Sequence, residues 1–222
     1  MCLEYLKSSI GKKQVVAVTG LLLIFFIIGH LAGNLFIFGG PEAYNHYAKK
    51  LASLRPGLYV IEFTLAVVFL IHIYVTLLLV HENLKSRPIA YNRYQPKGGH
   101  TWMARLMSIS GTILVLFVIW HLLDFTFVNH QGWRSFLPDG KSYGLYGVVF
   151  NALANPFHSL FYILAMMSLG LHLAHGLQSF AQTFGFNDPS YTPLVHKISN
   201  YFGVIVALGY SSIPLFVLFL AY

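Results

Sequence analysis

The chain has 222 residues, of which 56% are hydrophobic and 9% charged. A soluble domain carries about 25% charged residues, so an ordinary water-soluble enzyme is excluded. Despite a formal charge of +7, too little polar surface is left for a nucleic-acid-binding face. Basic residues flanking apolar runs instead orient a chain in a membrane. The single cysteine, Cys2, excludes an intrachain disulfide framework, a Cys-ligated iron–sulfur cluster and a C-x-x-C-H attachment motif.

Five hydrophobic stretches follow in chain order, at about 14–38, 58–80, 106–128, 157–180 and 198–221. Each reaches about 20 residues, enough to cross a hydrocarbon core of about 30 Å at about 1.5 Å per residue. None shows the period-2 alternation of a membrane barrel strand, and only helices or closed barrels satisfy their backbone in lipid. The reading is an all-α integral membrane protein with five transmembrane helices in a bundle. The first stretch follows Lys12 and Lys13 but is too long for a signal-peptide core, and it reads as a retained helix. With the N-terminus cytoplasmic, nine Lys and Arg fall inside and five outside, which favours that orientation. The connections read as short and polar, and Pro214 within the fifth stretch predicts a kink. No linker, repeat or low-complexity tract divides the chain, so residues 1–222 read as a single membrane domain. Loops this short leave no room for a catalytic soluble domain.

Eleven histidines are many for so apolar a sequence, and they sort by depth. His46, His100, His130, His158 and His196 fall in loops or at helix edges, and His81 and His175 lie toward the inner ends. His30, His72, His121 and His172 lie well inside four separate helices. Ionisable groups at such depth are costly and face the bundle interior. His30 lies 17 residues past Lys13 and His121 lies 16 past Arg105, which puts both about 24–25 Å from the inner surface. His72 and His172 lie 14 and 15 residues into helices running the other way, about 21–23 Å from the outer surface. His30 therefore pairs with His121 in the outer half, and His72 with His172 in the inner half.

Zinc recruits three or four ligands, often thiolate or carboxylate, and neither accompanies these pairs. Haem iron takes one protein ligand on each axial face, and its flat apolar macrocycle suits a helical bundle. Gly29 and Gly33 beside His30, Gly111, and Gly170 and Gly176 around His172 offer small surfaces for a macrocycle, or alternatively close helix–helix contacts. His81 is half a turn out of phase with His72, whereas His175, at i+3 from His172, competes as a ligand or bonds a propionate.

Gly29-His30-Leu31, Leu70-Ile71-His72-Ile73, Ala104-Arg105-Leu106-Met107 leading to Trp120-His121-Leu122-Leu123, and His172 through Ser179 carry a likeness. In these blocks the chain resembles the diheme cytochrome b membrane anchors of the succinate dehydrogenase and fumarate reductase family. The resemblance spans nearly the whole chain. It implies two haems b, with iron held by His30 and His121 in the outer site and by His72 and His172 in the inner. It further implies a flavoprotein partner for the dicarboxylate chemistry, an iron–sulfur partner, and menaquinone, or ubiquinone, as exchangeable substrate. The expected location is the bacterial cytoplasmic (inner) membrane. Quinone reduction takes up protons, and the family's acid near the outer haem points to Glu62, one turn inside the second helix; a Glu facing headgroups is the alternative. Asp124, at i+3 from His121, is the second candidate. Arg105 suits a haem propionate or a docking surface, or serves as an inner anchor, and the basic 81–100 loop suits docking. Two other functions compete: the cytochrome b subunit of a hydrogenase or formate dehydrogenase, against which the His172–Ser179 block argues, and a proton or metal transporter, which would want acids at mid-membrane.

Overall fold

The structure, a computed structural model, describes residues 2–86, 102–186 and 188–222, without the side chains of residues 2, 3, 6 and 102–105. The described residues are helical throughout, apart from turns and one isolated β-bridge between Phe136 and Ser142. In chain order the α-helices are α1 (Cys2–Lys7), α2 (Ser9–Asn34), α3 (Gly40–Ala52), α4 (Gly57–Lys85), α5 (Trp102–His121), α6 (Gly144–Leu153), α7 (Pro156–Thr183) and α8 (Thr192–Ala221). Five segments are long and apolar enough to cross a membrane, running through α2, α4, α5, α7 and α8. At 26 residues α2 alone spans about 39 Å.

Local chemistry sets the helix ends. The Ser8 side chain accepts from the Gly11 amide at 3.0 Å and starts α2 five residues earlier than hydropathy predicts. Asn155 caps α7 by accepting from the amides of Phe157 and His158 at 3.0 and 3.3 Å, with Pro156 in the first turn. α2 closes at Asn34 in a tight 3₁₀ segment, Leu35–Gly39. Gly40, at φ +82°, then turns the chain into α3, a conformation that glycine adopts without strain. α5 ends in a π-helical turn, Leu122–Thr126, closed by the Phe127 amide on the Leu122 carbonyl at 2.9 Å. The His130 ring donates from Nε2 to the Phe125 carbonyl at 2.7 Å and satisfies that frayed end.

α7 is the centre of the bundle, packed against α2, α5 and α8. Its closest approach is to α8. A Cβ on Gly170 would meet the Gly203 carbonyl at 2.6 Å and Ala207 Cβ at 2.8 Å, so the two backbones touch because both residues are glycine. Gln178 Nε2 donates to Asn200 Oδ1 at 3.0 Å across the same interface. α4 packs along α2, buries none of its residues, and is tied at one end by an ion pair between Lys12 and Glu82. Exposed Phe25, Val60, Leu77, Leu116, Val204 and Leu208 give the bundle an apolar outer surface suited to lipid.

The connections differ from the short polar loops expected. Two of them hold helices, α3 and α6, which close one end of the bundle. There Ile37, Tyr44, Tyr146, Val149, Leu153, Tyr162, Ile213 and Val217 form the larger buried core together with Phe117. Asn45 on α3 locks the cap: its Nδ2 donates to the Tyr143 carbonyl at 2.7 Å and its Oδ1 accepts from the Tyr146 amide at 3.2 Å. In the loop before α6, Tyr143 O–H donates to Asp139 at 2.7 Å and holds that exposed carboxyl below its ordinary range. Pro214 is buried in α8, which continues to Ala221.

Candidate functional site

Near the capped end, α2 and α5 bring His30 and His121 together, with ring centroids 5.8 Å apart and planes at 88°. Phe26, one turn before His30, stacks on it at 5.2 Å, and Tyr210 from α8 approaches at 6.2 Å. Phe117, Phe125 and Tyr162 surround His121 at 5.6, 5.3 and 6.2 Å. Asn34, one turn after His30, donates to the His30 carbonyl at 2.8 Å and reaches ring Nε2 at 3.3 Å, while Tyr44 O–H donates to its Oδ1 at 3.1 Å. His121 Nδ1 is buried with no hydrogen-bond partner among the described residues.

His72 and His172 each lean on a neighbouring helix, about three turns along α2 and α5 from His30 and His121. His72 of α4 meets α2, where Thr19 Oγ1 is 3.0 Å from its Nδ1 and Gly20 leaves just enough room, a Cβ there falling 3.2 Å from His72 Cε1. His172 of α7 meets α5 in the same way, with Ser110 Oγ 3.1 Å from its Nδ1 and a Cβ on Gly111 falling 3.6 Å from its Cε1. His175 lies one turn beyond His172 on α7. Thr19 and Ser110 are residues that sequence reasoning missed. Their signal is a repeat read as absent: Thr19-Gly20 precedes His30, and Ser110-Gly111 precedes His121, with nine residues between glycine and histidine in both helices.

The donor set fits haem. A metal about 2 Å from each coordinating nitrogen sets two imidazole centres about 6 Å apart, close to the spacing of His30 and His121. Among the described residues no three His, Cys, Asp or Glu side chains gather into a metal cluster. A Cβ on Gly29 or Gly176 would meet nothing within 4 Å, which leaves space beside His30 and His175. The other glycines do something else. Gly33 accommodates the Tyr47 ring, and Gly170 packs on Gly203, so neither keeps an open face for a macrocycle.

The remaining residues divide by burial. Glu62 is half exposed on α4 and pairs with Arg55 at 3.3 Å, beside the Tyr59 ring. Asp124 is buried, turned inward by the π-helical turn. Its Oδ2 accepts from Tyr162 O–H and faces His158 Nε2, each at 2.8 Å, and Arg134 lies 3.7 Å from Oδ1. His158, which reads as a helix-edge histidine, is thus part of a polar cluster one turn from His121. His175 keeps a buried Nδ1 with no hydrogen-bond partner among the described residues. The Arg105 side chain and the loop residues Arg87, Arg93, Lys97 and His100 lie outside the described residues.

No family model and no solved structure matches the chain. Over 198 residues it is 29% identical to the succinate dehydrogenase cytochrome b558 subunit of Bacillus subtilis (strain 168), a match covering 87% of each chain. With five membrane-length apolar helices, the chain is similar to this succinate dehydrogenase cytochrome b subunit along most of its length.

Proposed function

We propose that this chain is the membrane anchor and electron-transfer subunit of a succinate/fumarate:quinone oxidoreductase and holds two bis-histidine haems b. The observation that carries the proposal is the approach of His30 to His121 from separate helices, with the His72 and His172 rings fixed at a second level. His30 and His121 hold the outer iron, His72 and His172 the inner. When bound, the two haems supply one-electron carriers across the bilayer between the iron–sulfur subunit and the quinone pool.

The residues of this chain orient those ligands and exclude water from them. The aromatic rings around His121 and His30 do so near the capped end. Arg105 and His175 serve a haem propionate or hydrogen-bond the bound group. Dicarboxylate chemistry belongs to the flavoprotein subunit, since membrane-length helices make up most of the described residues of this chain. The quinone is menaquinone, with ubiquinone the alternative, and the membrane is the bacterial cytoplasmic one with the N-terminus inside. Glu62 transfers protons to the quinone: half exposed near the capped end, it is within reach of a lipid-borne molecule. A second reading gives that task to Asp124, favoured by its burial one turn from His121 and by the chain of hydrogen bonds through Tyr162 and His158.

The test is spectroscopic. In the complex purified from native membranes, succinate or a menaquinol analogue should reduce a b-type haem, and the flavoprotein and iron–sulfur subunits should co-purify. A complex with no haem absorbance, its partners intact, would contradict the proposal.

A further inference from the structure

The Thr19 and Ser110 hydroxyls make the same contact on two different helix pairs. Each sits within hydrogen-bond distance of a histidine Nδ1 on the neighbouring helix, and each is followed by a glycine that admits the imidazole edge. The direction of these bonds follows from where the hydroxyl hydrogens go. Thr19 Oγ1 donates to the Val15 carbonyl of its own helix at 2.7 Å. Ser110 Oγ donates to the Met107 carbonyl at 3.1 Å. A hydroxyl has one hydrogen; given to the helix carbonyl, it leaves each oxygen to accept from a histidine Nδ1–H.

A neutral imidazole with its hydrogen on Nδ1 keeps its lone pair on Nε2. We propose that Thr19 and Ser110 are positioning residues that fix His72 and His172 as Nδ1–H tautomers and present both Nε2 atoms to one metal centre, raising the basicity of both ligands. An acceptor on the far nitrogen strengthens electron donation to the metal and favours its oxidised state. Among the described residues, the outer pair has no such acceptor on His121, whose Nδ1 is buried without a hydrogen-bond partner, and His30 faces an amide nitrogen of Asn34 instead. The two sites thus differ in ligand basicity through this chain's own side chains, and the hydroxyl pair lowers the potential of the inner site. This inference rests on the two-haem reading.

The test uses the whole complex from native membranes carrying Thr19→Val, Thr19→Ser or Ser110→Ala, followed by optical redox titration and low-spin haem EPR. Thr19→Val and Ser110→Ala should each raise the midpoint of the same haem. At a fixed potential its reduced-to-oxidised ratio should rise about threefold to tenfold, up to about 59 mV for a one-electron couple. Thr19→Ser should keep the wild-type value. Loss of that haem in Thr19→Val with retention in Thr19→Ser also supports the hydroxyl's role. Unchanged potentials at full haem content, equal shifts in both haems, or loss of the haem in Thr19→Ser would overturn it. The wild-type haem count separates the two claims: fewer than two haems sinks the two-haem reading itself, and this inference with it.

Discussion

Asp124 is the most heavily committed side chain near His121. It serves Tyr162 O–H, His158 and Arg134 at once, in a buried setting where an unpartnered polar group is expensive. Asp124→Ala should leave the Tyr162 hydroxyl stranded and destabilise the protein by about 1–3 kcal/mol, seen as a lower Tm of the purified complex. Asp124→Asn, which keeps an acceptor oxygen, should lose less. Equal Tm for the alanine variant and the parent would show that the cluster is not structural. Glu62 sits in a different regime, because its pair with Arg55 is half exposed and such pairs contribute little. Glu62→Gln should therefore leave Tm unchanged while slowing quinone turnover. Unaltered turnover would shift the proton-transfer role to Asp124.

Among the helices, α7 and α8 depend on the absence of side chains where they cross. Gly170→Leu would push a side chain into the Gly203 carbonyl and Ala207, with no flexible group able to yield. We expect the complex to lose assembly in membranes, measured by its yield after mild detergent extraction. Gly29→Ala, where a Cβ would touch nothing within 4 Å, should assemble normally. Assembly of Gly170→Leu at the parental level would contradict this packing. The long helices were legible because each presents about 20 apolar residues in a row, and the four deep histidines stood out against them. α3 and α6 were not legible as helices. α6, at 10 residues, is too short to register as a span, and α3 mixes Glu42, His46, Lys49 and Lys50 into its faces. Thr19 and Ser110 escaped notice because a lone hydroxyl in an apolar run normally bonds back to its own helix. Both do so, and the contact to a histidine appears only once α2 meets α4 and α5 meets α7.

For the molecule as a whole, two helix pairs, α2 with α4 and α5 with α7, repeat one arrangement: a hydroxyl and a glycine against a deep histidine, then a second histidine three turns on. The cap of α3 and α6 closes the end near His30 and His121, while the apolar flanks of the five long helices face lipid. On the proposed reading, His30 with His121 and His72 with His172 hold two electron carriers in one chain. Haem b per chain tests that claim most directly, measured as the pyridine haemochrome of the complex purified from native membranes with its partners attached. The account predicts two haems per chain. One haem, or none, would contradict it.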